Sequence, residues 1–273
     1  MEYKLIAFDM DGTLLNSNKK ISKRTLEAID DAVSKGKIVI LNTGRNPAEL
    51  QEFYDVLPKV RYLNCVSGGL VYDRYEDEII FSQCMDIDTI KQLFEITSLE
   101  DTFIHILTKK SIVQKDKVPR MDHYLMGVYQ EMYERVTDKY DDLKKTYFEK
   151  PFPVNKFNVY HTDSKARQRT IERITKQNLP VELAKAEESS LEITSKGIHK
   201  GIGLKKLCEH LNIPLQQTIV VGDAHNDVEA LKVAGKAIVM ANAGDEIKKY
   251  ADEIVSDCDH DGCVEAIYQY LLG

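Results

Sequence analysis

The chain opens with Tyr3-Lys4-Leu5-Ile6-Ala7-Phe8-Asp9-Met10-Asp11-Gly12-Thr13, an apolar run that stops abruptly at two carboxylates and a glycine. Leu5 to Phe8 is too short for a helix and is bounded by turn residues, the pattern of a strand buried on both faces in a parallel sheet. Asp9 and Asp11 follow at the carboxyl end of that strand, the edge at which open α/β sheets hold their ligands. No lysine or arginine stands among their immediate sequence neighbours. Two like charges so close repel unless a cation or a shared proton intervenes, so the stretch predicts a metal site or an acid/base pair.

The same design returns late in the chain as Gln217-Thr218-Ile219-Val220-Val221-Gly222-Asp223-Ala224-His225-Asn226-Asp227. Asp223 and Asp227 stand four apart where a helix is expected to begin, so they can face one cation together. A third apolar run, Lys37 to Asn42, ends in Thr43-Gly44-Arg45. There Asn46 is placed to cap a helix with Pro47 at its first position and Leu50, Phe53, Tyr54 and Leu57 on one face. A hydroxyl beside a glycine and a helix N-terminus suits a phosphoryl oxygen. Ser22 caps a crossover helix carrying Leu26, Ile29 and Val33, which Gly36 closes. Lys196 and Lys200 precede or open a helix bearing Leu204, Leu207, Cys208 and Leu211. A lysine there opposes the helix dipole, which makes sense if it points at an anion.

Around these elements the composition sets bounds. With 273 residues, 43% hydrophobic and 30% charged, the sequence has room for about two domains of a soluble globular protein. No apolar run approaches the ~20 residues that cross a bilayer, and Met1-Glu2-Tyr3-Lys4 leads straight into a strand with no signal-like segment, so the expected compartment is cytoplasmic. A net charge of −7 gives no general attraction for nucleic acid or for an anionic membrane. Five scattered cysteines without a C-x-x-C pair argue for reduced thiols. From 83 to 188 the texture becomes aromatic-rich and charged, with less regular element order, and is expected to form a second, inserted domain. The flanking 1–82 and 189–273 are expected to form the first, with 191–194 as a strand of it. Within the insert, 120–135 is expected to be helical. His105, His123 and His161 lack metal-ligand spacing and are expected to be core or rim residues.

Asp9-Met10-Asp11-Gly12-Thr13, Thr43-Gly44, the lysine after Leu191-Glu192-Ile193, and Gly222-Asp223 followed by Asn226-Asp227 resemble, in order, the motifs of the haloacid dehalogenase-like hydrolases. The insert between the second and third motifs resembles the large cap of their Cof-like (type IIB) branch. Two departures stand out: Ser67-Gly68-Gly69 where the family more often has Asn-Gly, and Cys263 between Gly262 and Val264 at the entry to the last helix. The resemblance implies an α/β fold, with a doubly wound parallel-sheet core and an inserted α+β cap. It also implies a Mg2+-dependent phosphatase acting on a small soluble phosphomonoester. Asp9 would be the nucleophile that becomes an aspartyl-phosphate, and Asp11 the general acid and base, its pKa raised by the crowded acidic site. The metal set would be Asp9, Asp11 through its backbone carbonyl, Asp223 and Asp227, the last directly or through water. Lys200, favoured over Lys196, would hold the phosphoryl group with Thr43, Asn226 and the backbone about Met10 and Gly44. The second aspartate separates this pattern from the family dehalogenases. A phosphomutase of the same fold and a non-catalytic phosphate-binding module remain as alternatives. Oligomeric state, substrate and the part played by His105, Lys109, Asn155 and His161 stay open.

Overall fold

The computed structural model describes residues 2–185 and 188–273. They divide into two compact units, one comprising the chain up to Arg45, Gln51–Phe81 and His199–Gly273, the other Asn46–Leu50 and Ser82–Ile198. The chain first lays down β1 (Leu5–Phe8), β2 (Ile38–Asn42), β3 (Tyr62–Cys65), β4 (Leu70–Asp73) and β5 (Glu78–Ser82). It then forms the second unit with β6 (Thr102–Leu107), β7 (Ser111–Gln114), β8 (Thr137–Tyr140), β9 (Lys156–His161), β10 (Val181–Ala184) and β11 (Ser190–Ser195). It returns with β12 (Thr218–Gly222), β13 (Lys236–Met240) and β14 (Glu253–Val255).

In the first unit the eight strands run in the order β14-β13-β12-β1-β2-β3-β4-β5. β1 is central and parallel to both neighbours, and Phe8 lies in register with Val221 on one side and Leu41 on the other. The residues that follow, Asp9, Gly222 and Asn42, therefore lie at one level at the carboxyl edge of these strands. Leu5, Ile6, Ala7 and Phe8 are wholly buried, as expected for a strand covered on both faces. Leu5, Ala7, Ile40, Val220 and Val239 pack with Leu204 and Leu207 of the helix Lys200–Leu211 and with Val228 and Leu231. Each Leu, Ile or Val among them contributes roughly 1.5–3 kcal/mol on burial, so a charge at Val220 would break the layer that carries the site. The crossover helix Lys23–Ser34 begins where expected, with Ser22 Oγ accepting from Thr25 N at 3.1 Å. Asn46, which belongs with its helix to the second unit, caps that helix through a reciprocal pair with Glu49, at 3.0 and 3.1 Å. That helix is one turn, Pro47–Leu50, followed by a 3-10 turn, and does not continue to Leu57. Burial of Phe53 and Leu57 overrides the helical spacing there.

The six strands of the second unit run β10-β11-β9-β6-β7-β8. One face carries Ile106, Phe157, Val159, Leu191 and Ile193 against Ile90, Leu93 and Phe94 of the helix Ile87–Thr97 and Ile174 of the helix Ser164–Lys176. The other face aligns His105, Asn158 and Glu192 across three strands. Two expectations are corrected here. The strand at 191–194 does not begin the return to the first sheet; it pairs antiparallel with β9, setting Leu191 beside Val159 and Ile193 beside Phe157. The apolar face of the second sheet claims it, and the second unit runs on to Ile198. The helix expected over 120–135 is broken into a 3-10 stretch (Lys115–Tyr124), a 3-10 turn (Gly127–Tyr129) and a short helix (Gln130–Val136). Arg120 leaves the helical region with φ of −117° and ψ of 21°, and Leu125 takes a left-handed φ of 59°, both incompatible with a continuous helix. The unanticipated strands β8 and β10 are the two edges of the sheet, where few apolar residues are needed. All five cysteines are free thiols, and no helix of the described residues is long and apolar enough to cross a membrane.

Candidate active site

Because β1, β12 and β2 end together, Asp9, Asp223 and Thr43 gather at one sheet edge, and the helix Lys200–Leu211 adds its first residue to them. Lys200 is fully buried, and its Nζ donates to Asp9 Oδ1 at 2.6 Å and to Asp227 Oδ1 at 2.7 Å. The other oxygen of Asp227 accepts the backbone N–H of Asp223 and of Ala224, each at 3.1 Å, so Asp227 folds its own turn as well as facing the lysine. Thr13 Oγ1 donates to Asp223 Oδ1 at 2.7 Å. Carboxylate oxygens of Asp9, Asp223 and Asp227 all lie within 4.8 Å of one another. Two glycines make the convergence possible. Gly12 has φ of +86°, and a Cβ there would sit 2.4 Å from Asp223 Oδ2, while a Cβ on Gly222 would sit 2.5 Å from Asp227 Cγ.

The electrostatics follow from three carboxylates facing one ammonium. Burial pushes the Asp9 carboxyl well above its ordinary range; Lys200 opposes this, and Asp227 and Asp223 reinforce it. Asp223 is pushed up to about 6, by burial first and then by Asp227. Burial works to deprotonate Lys200, but Asp227 and Asp9 outweigh it and hold the ammonium charged. Excess negative charge on hard oxygen donors is the setting in which a cation such as Mg2+ binds, and Asp9, Asp223 and Asp227 are the side chains that fit it.

Asp11 departs from expectation. Its carboxylate turns to Arg45, whose Nε and Nη2 each donate to it at 2.9 Å, and to Lys19 Nζ, also at 2.9 Å. Burial alone would raise its pKa, but these cations bring it down to about 2. The acidic crowding expected from Asp9-Met10-Asp11 is thus overruled by two cations, neither adjacent in sequence, and the carboxyl is held ionised.

Thr43 is buried, and its Oγ1 accepts from Arg45 N at 3.1 Å. The site also relies on Asn64, which the sequence reading passed over. Asn64 offers its carbonyl to Thr43 N at 2.8 Å, and its Nδ2 donates to Asn42 Oδ1 at 2.6 Å and to Lys200 O at 2.8 Å. It thereby sets both the Thr43 turn and the start of the lysine helix. The signal available was an asparagine inside each of two apolar strands, where a polar side chain has to be hydrogen-bonded. Met10 is buried and its carbonyl accepts from Leu15 N at 2.8 Å, closing the turn after β1. Gly44 follows Thr43 in its turn. Asn226, in the 3-10 turn before the helix Val228–Val233, has a buried Oδ1 with no hydrogen-bond partner among the described residues.

The three histidines of the second unit do not meet. His105 bonds Ser111 at 2.6 Å and Tyr133 at 2.8 Å, His161 bonds Thr170 and the Ser189 carbonyl at 3.0 Å each, and His123 pairs with Asp101 at 2.8 Å. Asn155 donates to Ser82 Oγ and to the Gln83 carbonyl. His225 is exposed beside the acidic turn.

A family model described as haloacid dehalogenase-like hydrolase matches residues 6–267. Among curated relatives, the 5-amino-6-(5-phospho-D-ribitylamino)uracil phosphatase YcsE of Bacillus subtilis is 27% identical, the match covering 100% of this chain and 97% of that protein. The pyridoxal phosphate phosphatase YbhA of Escherichia coli is 26% identical, with 100% of both chains covered. The fold matches that of a solved subclass IIB sugar phosphatase with a TM-score of 0.83, at 20% identity and over 98% of each chain. With the family model spanning nearly the whole sequence, the chain belongs to the haloacid dehalogenase-like hydrolases.

Proposed function

We propose that this protein is a Mg2+-dependent phosphatase that hydrolyses a small soluble phosphomonoester through an aspartyl-phosphate on Asp9, with 82–198 as the main part of the cap domain. The observation that carries this reading is the buried Lys200 ammonium bridging Asp9 and Asp227 at 2.6 and 2.7 Å, beside Asp223. A structural ion pair needs one carboxylate; three around one lysine leave charge for a cation and a phosphoryl group to complete. The two relatives, matched at 27% and 26% identity, are named for a ribitylaminouracil phosphate and for pyridoxal phosphate. Those names support a small phosphomonoester (a sugar phosphate, a nucleotide or a phosphorylated cofactor) as the class of substrate, a net charge of −7 gives no general attraction for nucleic acid or an anionic membrane, and the proposed compartment is the cytoplasm.

Asp9 Oδ attacks phosphorus while the bond from phosphorus to the leaving oxygen breaks, and Asp11 gives its proton to that oxygen. Water then attacks the phosphoryl group, Asp11 takes a proton from it, and the bond between phosphorus and Asp9 breaks to release inorganic phosphate. Lys200, Thr43, Asn226 and the backbone N–H groups about Met10 and Gly44 hold the phosphoryl oxygens. Asp9, the Asp11 carbonyl, Asp223 and Asp227, the last directly or through water, would hold Mg2+, which would supply the positive charge that offsets repulsion between a carboxylate and a phosphate dianion. For Asp11 to serve as the acid it has to exchange its pairing with Arg45 and Lys19 for a proton. The test is a panel of phosphomonoesters assayed for inorganic phosphate with and without Mg2+. Release that needs Mg2+ and no bisphosphate activator supports the reading; a flat panel overturns it.

A further inference from the structure

Asn242 stands two residues past the end of β13, outside all the motifs above, with an exposed side chain. Both ends of its amide are nevertheless engaged. Nδ2 donates to the Gly12 carbonyl at 2.9 Å and lies 3.4 Å from Asp223 Oδ2, and Oδ1 accepts from Cys258 N at 3.1 Å. One side chain thus joins the turn after β1, the carboxylate after β12 and the loop after β14. The Cys258 loop is itself anchored. Asp257 Oδ1 accepts from Asp259 N at 2.9 Å and pairs with His260 Nδ1 at 2.7 Å, and Asp259 Oδ1 accepts from Ser17 N at 2.9 Å.

Asp223 is therefore held at both oxygens: Thr13 Oγ1 donates to Oδ1 at 2.7 Å, and Asn242 donates to Oδ2. The same amide fixes the height of the Gly12 turn, whose backbone passes too close to Asp223 for any Cβ. We propose that Asn242 is a positioning residue for the cation site, setting the orientation of Asp223 and its distance from the Asp9–Thr13 turn. The proposal rests on the reading that Asp9, Asp223 and Asp227 hold a divalent cation. An exposed amide contributes little to folding, since water replaces its bonds. Loss of a partner that orients a metal ligand typically weakens binding about 10- to 100-fold. The weight of Asn242 therefore falls on the cation and not on the fold.

The test compares the wild-type protein with Asn242→Ala by titrating Mn2+ and following free ion by electron paramagnetic resonance, without substrate, alongside thermal unfolding in chelator. The expected result is a half-saturating Mn2+ concentration raised at least about tenfold, with unfolding in chelator unchanged. Excess Mg2+ should restore most of kcat and leave KM for a phosphomonoester as in the wild type. Equal Mn2+ binding by both proteins would retire the role of Asn242 and leave the cation reading intact. Failure of Asn242→Ala to fold would also overturn the proposal, by placing the residue's weight in stability. Absence of Mn2+ binding by the wild type would remove both.

Discussion

Arg45 grips Asp11 with two prongs, Nε at 2.9 Å from Oδ2 and Nη2 at 2.9 Å from Oδ1, while Lys19 reaches Oδ1 from the loop after the first turn. A fork on a carboxylate, with the guanidinium largely buried, is among the stronger charge-assisted arrangements. It orients the residue proposed as general acid and base, and it keeps that residue ionised until something displaces it.

The proposed role of Asp11 is separable from metal binding, because its side chain lies outside the Asp9, Asp223 and Asp227 cluster. Asp11→Asn is expected to bind Mn2+ as the wild type does, yet to lose about 10²- to 10⁴-fold in turnover of alkyl phosphates, the range for removing a general acid or base. An aryl phosphate with a good leaving group needs no proton, so the variant should show a burst of phenolate and then stall. Stopped-flow absorbance reads this directly, and full turnover of an alkyl phosphate by Asp11→Asn would rule the role out.

Asp9→Asn removes the proposed nucleophile while keeping its size. Turnover should fall by more than about 10⁴-fold, as when a nucleophile is deleted elsewhere. Acid-quenched wild-type protein should carry a phosphoryl group on the peptide spanning Asp9, and the variant none. Mass spectrometry of the quenched digest decides it.

Lys200 is fully buried between two carboxylates. Lys200→Met keeps the stem and deletes the charge, leaving Asp9 and Asp227 buried without a counter-ion, a loss of about 3–5 kcal/mol by analogy with other broken buried pairs. Urea unfolding in chelator should show that drop, and a divalent cation should recover part of it. A variant as stable as the wild type in chelator would mean the ammonium is not compensating the carboxylates.

His105, in the second unit, has Ser111 and Tyr133 on its ring nitrogens, with Glu49 3.7 Å away, and burial together with the charge of Lys156 lowers its pKa to about 3. The folded protein thus keeps it neutral down to about pH 3, whereas the unfolded chain takes up a proton near the ordinary value of 6.5. Protonation favours the unfolded state, so its contribution to stability is intact above 6.5 and declines as pH falls, by up to about 1.4 kcal/mol per pH unit. His105→Gln should flatten the dependence of unfolding on pH between 4 and 6; an unchanged slope would place the proton uptake elsewhere.

Much of this protein is legible along the chain itself. Leu5 to Phe8 and Thr218 to Val221 declare parallel buried strands by continuous apolar character, and each ends at its carboxylates, so Asp9, Asp223 and Asp227 are nameable from spacing. Those signals are short-range: periodicity, caps and turn residues act within one element. Who stands beside a carboxylate is decided by strand register and close packing. Register brought Arg45 across 34 positions to Asp11 and reversed the expected direction of its pKa, and brought Asn242 across 230 positions to the Gly12 carbonyl. The strand Ser190–Ser195 shows the same division. Its sequence specifies a strand, but only the apolar face offered by Val159 and Phe157 assigns it to the second sheet, because an isolated strand carries no record of the neighbour that will bury it.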